Sequence, residues 1–121
     1  MHSEKVTLGK FGEEKAVKYL SSNGYKILCR NFRCKIGEID IVARDTAKKN
    51  LVIFFEVKTR KNCDFGLPCE SITAAKLQKI KKIIAVYALV KKCKHCDLRI
   101  DAIEVLVMQD RVYIRHLENV D

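Results

Sequence analysis

Three side chains in the middle of the chain have the types and spacing to do chemistry together: Asp40, Glu56 and Lys58. Strand side chains alternate faces, so the run from Gly37 to Arg44 puts Glu38, Asp40 and Val42 on one side. By the same rule Val52, Phe54, Glu56 and Lys58 share a side of the next apolar run. If the two runs form a hairpin about the polar turn at 45–50, Asp40 falls directly opposite Glu56, with Cβ atoms ~4.5–5.5 Å apart. Two carboxylates so placed repel unless a cation or a shared proton relieves them. A divalent ion held by both would keep coordination positions for water and a phosphate oxygen, as Mg²⁺ (or Mn²⁺) prefers. Lys58 could then orient the attacking water or stabilise charge developing on phosphorus oxygens. The competing reading is a cross-strand salt bridge. Against it, Val52 and Phe54 on the same face call for a covering helix, and α/β proteins commonly place sites where such a face ends.

Other charged residues fall near that face. Glu13, Ala16, Val17 and Leu20 form one stripe of a helix, and a glutamate on an apolar stripe calls for a partner. Glu13 is therefore a candidate third acid, reaching the metal directly or through water, or else an edge residue turned to solvent near the helix start. In a later helix Leu77, Ile80, Ile84, Tyr87 and Ala88 form the apolar arc, with Lys76 inside it and Lys79 on its border. These lysines, with Arg60 and Lys61, are candidates to contact a phosphate backbone. The alternative for Lys76 is a stem laid over apolar neighbours with its head in water.

The elements that must position these residues follow from pattern. Gly9 to Asn23 reads as an amphipathic helix stopped by Gly24. Tyr25 to Phe32 and Gly37 to Arg44 read as strands. Leu51 to Lys58, apolar on both faces until its end, reads as a central strand. Arg60 to Glu70, with Gly66 and Pro68, reads as a loop, and Thr73 can cap a helix running to about Lys92. Leu98 to Met108 and Val112 to His116 complete the order α-β-β-β-α-β-β, one α/β sandwich. A single domain over 1–121, with its core at about 9–116, is expected.

Composition bounds the partner. Twenty-four Lys and Arg against fifteen Asp and Glu leave a formal charge of +9. Such a surplus favours a polyanion, since each phosphate neutralised releases counterions. No apolar run approaches the roughly 18 residues of a membrane span, and the first residues lack a secretory pattern, so a cytoplasmic location is expected with no membrane partner. Of the six cysteines, Cys93-Lys94-His95-Cys96 has the spacing of half a zinc site, and Cys29-x4-Cys34 is a loose candidate for the other half. A second tight pair is missing, so zinc at Cys93 and Cys96 is not expected.

Gly37-Glu38-Ile39-Asp40 followed by Glu56-Val57-Lys58-Thr59-Arg60 resembles the PD-(D/E)XK nuclease signature in its Holliday-junction-resolvase-like variant. Gly9-x-x-Gly12-Glu13-x-x-Ala16-x-x-Tyr19-Leu20 before it, and Phe65-Gly66-x-Pro68 after it, narrow the resemblance to the YraN-like bacterial proteins. The resemblance spans roughly residues 9–116. It implies a restriction-endonuclease-like mixed β-sheet flanked by helices. It also implies Asp40 and Glu56 as metal ligands, Lys58 as the catalytic amine and Glu13 as the accessory acid. Junction-cutting relatives work as dimers, so a homodimer is a further expectation. The function expected is metal-dependent hydrolysis of phosphodiester bonds in DNA (favoured over RNA) or structured nucleic acid. The alternative is a non-catalytic nucleic-acid-binding protein on the same fold.

Overall fold

Leu51 to Lys61 has the composition demanded of a strand buried on both faces, and it runs through the centre of the sheet. A computed structural model describes residues 4–48, 50–61, 72–93 and 96–121. In chain order the elements are α1 (Glu4–Ser22), β1 (Tyr25–Cys34), β2 (Gly37–Asp45), β3 (Leu51–Lys61), α2 (Ala74–Val90), β4 (Asp97–Met108) and β5 (Arg111–Leu117). The sheet order is β1-β2-β3-β4-β5, with β3 and β4 parallel and the other neighbours antiparallel. This is the expected element order in a mixed sheet flanked by helices.

Each helix covers one face of the sheet. Ala16 and Leu20 of α1 are sealed against Ile41, Ala43, Ile53, Phe55, Ile103 and Val105. On the other face Ile80, Ile83, Ile84 and Tyr87 of α2 pack on Ile39, Val42, Val52, Phe54 and Ile100. Alternate residues of β3 thus feed two separate cores. Gly12 lets α1 approach β3 closely, because a Cβ there would overlap the Thr59 side chain. Gly24, at φ 85°, turns the chain out of α1, and Thr46 donates its N–H back to the Gly24 carbonyl.

Several boundaries differ from the sequence reading, three of them for a clear physical reason. The first helix begins at Glu4 rather than Gly9, since Gly9 is exposed and one glycine within a helix costs little. The second helix stops at Val90, two residues before Lys92, whose φ of 51° breaks the helical path. Arg60 and Lys61 belong to β3, not to a loop, because parallel pairing with Leu106 and Val107 extends the strand. Residues 62–71, including Gly66, Pro68, Cys63 and Cys69, lie outside the described residues, as do Lys94 and His95.

A buried polar chain ties the far side of the sheet together. Asp101 of β4 is fully buried and receives both nitrogens of the Arg99 fork at 2.8 Å, the Asn119 N–H at 2.9 Å and His116 Nε2 at 2.7 Å. His116 Nδ1 meets the Tyr19 hydroxyl of α1 at 3.0 Å. Burial alone would raise the Asp101 pKa. The donors from His116, Arg99 and Asn119 outweigh it and hold the carboxyl below its usual value.

Among the described residues no helix is long and apolar enough to cross a membrane. Cys29, Cys34, Cys93 and Cys96 are thiols, and Cys93 donates to Cys96 across 3.3 Å.

Candidate functional site

The β2–β3 ladder follows the expected hairpin register from Arg44 opposite Val52 to Ile41 opposite Phe55, and stops there. Asp40 and Glu56, expected as directly opposed partners, are the positions just beyond its last rung. At that point Asp40 Oδ2 accepts the Val57 N–H at 2.8 Å, so a side chain takes the place of a backbone acceptor and the strands part. The expected alternation of 38, 40 and 42 is interrupted as well. Ile39 and Val42 both pack toward α2 while Ile41 and Ala43 face α1.

The gap makes Asp40 accessible from two sides. Toward α2 it lines a cavity of about 430 Å³ together with Glu38, Glu56, Lys76 and Lys79. Toward α1 it lines a cavity of about 270 Å³ with Glu13, Asn31, Glu38 and Thr59. Burial pushes the Asp40 carboxyl up to about 7. The Val57 N–H pulls it down, and the negative charges of Glu56, Glu13 and Glu38 raise it further. A carboxylate this reluctant to ionise, flanked by others, is a place where a cation would be welcomed.

Glu56 is 8% exposed and faces α2, where Lys76 Nζ reaches its Oε2 at 3.1 Å. Lys76 therefore does not simply lie along apolar neighbours, since its ammonium sits on the acid of the site. Lys58, two residues along β3, projects from the same face as Glu56. Lys79 lines the cavity one turn along α2 from Lys76. Arg60 lies further along β3, 3.6 Å from Glu104, and Lys61 is exposed at the strand end.

Glu13 has the partners that its place on the stripe calls for. Its Oε1 accepts from Arg30 Nη2 at 3.1 Å, Arg30 Nε at 3.3 Å and Asn31 Nδ2 at 3.0 Å. It shares the α1-side cavity with Asp40, close enough to raise that carboxyl. Among the described residues no three Asp, Glu, His or Cys side chains converge as a metal cage. The sequence left Glu13 to reach a metal directly or through water, and in the structure Arg30 and Asn31 hold its Oε1.

The donor set at the gap suits a hard divalent ion. Asp40 and Glu56 supply carboxylate oxygens only, and two protein ligands with the remainder from water and substrate is how Mg²⁺ is commonly held. The burial of the Asp40 carboxyl, with Glu56 lining the same cavity, is the structural observation that favours this fit.

Sequence reasoning missed Glu104 and Arg115. Glu104 is 3% exposed on β4, beside Lys58 on one side and Arg115 of β5 on the other. The available signal was an acid inside the otherwise apolar run Ile103 to Met108. The parallel register that gives it neighbours is not readable from a hairpin.

A model described as "Uncharacterised protein family UPF0102" matches residues 12–105. A UPF0102 protein of Caldicellulosiruptor saccharolyticus is 46% identical over 101 residues, covering 84% of this chain and 83% of that protein. Another, from Caldanaerobacter subterraneus, is 44% identical over 116 residues, covering 96% and 93%. Among solved structures, a repair endonuclease from Pyrococcus abyssi overlaps 91% of this chain with a TM-score of 0.44 and 15% identity. This chain spans only 41% of its length.

Proposed function

The chain belongs to the UPF0102 family, and we propose that it is a metal-dependent phosphodiesterase acting on DNA or structured nucleic acid. The observation that carries this reading is the meeting of Asp40 and Glu56 around one cavity where β2 and β3 part. Lys58 lies on the same face as Glu56, and Lys76 contacts that acid.

On this reading Asp40 and Glu56 hold a Mg²⁺ or Mn²⁺ ion. When bound, such an ion supplies Lewis acidity and a more acidic water. Lys76 neutralises Glu56 in its absence. At 43% exposure on a flexible stem, Lys76 can release the acid and take a phosphate oxygen instead. Lys58 orients the attacking water or meets charge developing on the phosphoryl oxygens. Glu13, steadied by Arg30 and Asn31, acts from the α1 side through water.

Arg60, Lys61, Lys76 and Lys79 grip the backbone, which reads shape rather than base sequence, as suits a 121-residue domain with little surface to spare. DNA is the favoured substrate and a symmetric dimer the favoured assembly, working in the cytoplasm.

The test is to incubate the protein with branched, duplex and single-stranded DNA and RNA in Mg²⁺ or Mn²⁺, beside Asp40→Ala. Cleavage by wild type that the variant loses is expected. Equal binding by both proteins with no cleavage would replace the enzyme by a non-catalytic binding module on the same fold.

A further inference from the structure

Beyond the carboxylate pair, the same face of the sheet carries a row of charge whose outer members, Glu104 and Arg115, no part of the hydrolytic scheme uses. Lys58, Glu104 and Arg115 are register partners on β3, β4 and β5, so they stand side by side. Neighbouring strands lie about 4.8 Å apart, which makes the row roughly 10 Å wide. Arg60, two residues after Lys58, leans in from the same face. Its Nε lies 3.6 Å from Glu104 Oε2, and Arg115 Nη1 lies 3.6 Å from Oε1.

Those distances are long for hydrogen bonds. Among the described residues Glu104 Oε2 has no hydrogen-bond partner, and the side chain is only 4% exposed. The guanidiniums are more open, at 29% for Arg60 and 45% for Arg115. A guanidinium carries five donors in a planar fork, so Arg115 can face one carboxylate oxygen of Glu104 and still present an edge to a second anion. With Lys58 the four groups sum to a charge of +2. An arginine pair held apart on a buried carboxylate is preorganised for an anion with several acceptor oxygens.

We propose that Arg60 and Arg115, spread by Glu104, form a second phosphate subsite that takes a backbone phosphodiester flanking the one at Asp40 and Glu56. The proposal rests on the nucleic-acid reading above and extends it two strands across the sheet. Arg115 is the new binding residue. Glu104 is a positioning residue, which draws the guanidiniums of Arg60 on β3 and Arg115 on β5 toward β4 and away from Glu56.

The experiment measures binding of a fluorescein-labelled DNA duplex and four-way junction across a salt series for wild type, Arg115→Gln, Arg115→Lys and Glu104→Gln. Steady-state cleavage is followed in parallel, with Asp40→Ala as the cleavage control and thermal melts to confirm folding. Removing one phosphate contact lowers the slope of log K against log salt by about one. Arg115→Gln is therefore expected to lose that much slope and to bind several-fold more weakly, with Arg115→Lys restoring most of the slope. Glu104→Gln is expected to raise KM with little change in kcat, despite removing a negative charge. An unchanged slope in Arg115→Gln, or tighter binding by Glu104→Gln, overturns the subsite. If wild type cleaves while Arg115→Gln matches it throughout, only the subsite falls. If nothing is cleaved but Arg115→Gln still loses slope, the subsite stands and the hydrolytic reading falls.

Discussion

At the residue scale the fold carries a cost at Asp40. Its carboxyl prefers to keep a proton until about pH 7, whereas in the unfolded chain it ionises near 4. Between those values the folded state binds more protons than the unfolded state, so stability falls as pH rises through that window. Asp40→Asn removes the titration. Denaturant unfolding of metal-free protein should show wild type losing on the order of 3 kcal/mol relative to the variant between pH 4 and 7. A flat difference across that range would show that Asp40 ionises normally. A similar logic applies in reverse at Asp101, whose donors hold it ionised. Asp101→Ala leaves Arg99 and His116 with a vacated partner in a buried site, at an expected cost of about 3–5 kcal/mol, measurable by the same unfolding experiment.

The residues of the candidate pair were legible because their facing follows from a period of two and a short turn. What the period could not reveal was that the ladder ends one rung early. The Asp40 side chain competes with the backbone for the Val57 N–H, a contact between residues seventeen apart in sequence. Glu13 was likewise legible as an acid needing a partner, but Arg30 and Asn31 sit on a strand with a register shift between Ile27 and Cys29. Pattern alone cannot tell which side chains such an irregular strand presents.

At the element scale, two helix contacts decide where the site's side chains stand. Thr73 caps α2, its hydroxyl accepting the Lys76 N–H at 3.1 Å, so the cap that starts the helix also anchors the residue that reaches Glu56. Thr73→Ala should cost about 1 kcal/mol, read as a shift in the unfolding midpoint. Gly12 sets the approach of α1 to β3. Gly12→Val drives a side chain into Thr59 and should cost about 1–3 kcal/mol by overpacking. A neutral result in the melt would mean that α1 sits further from the sheet. Element order came through in the sequence because amphipathic and alternating patterns are local. The extent of β3 did not, because Arg60 and Lys61 are held in the strand by β4.

At the scale of the whole molecule, the +9 charge matters through its placement. Arg60, Lys76 and Lys79, with Arg115, lie around the face that carries Glu56, and Lys61 is exposed at the end of the same strand as Arg60. Five phosphate contacts would weaken duplex binding roughly 500-fold for a fourfold rise in salt. A salt-insensitive affinity in the titration would place the binding elsewhere or make it non-electrostatic.

The central claim is that two carboxylates at the parting of β2 and β3 grip one cation, and titration calorimetry with Mn²⁺ tests it most directly. Wild type should bind one ion at this site, and Asp40→Asn and Glu56→Gln, each folded by circular dichroism, should both lose it. Binding that survives undiminished in either variant would contradict the account.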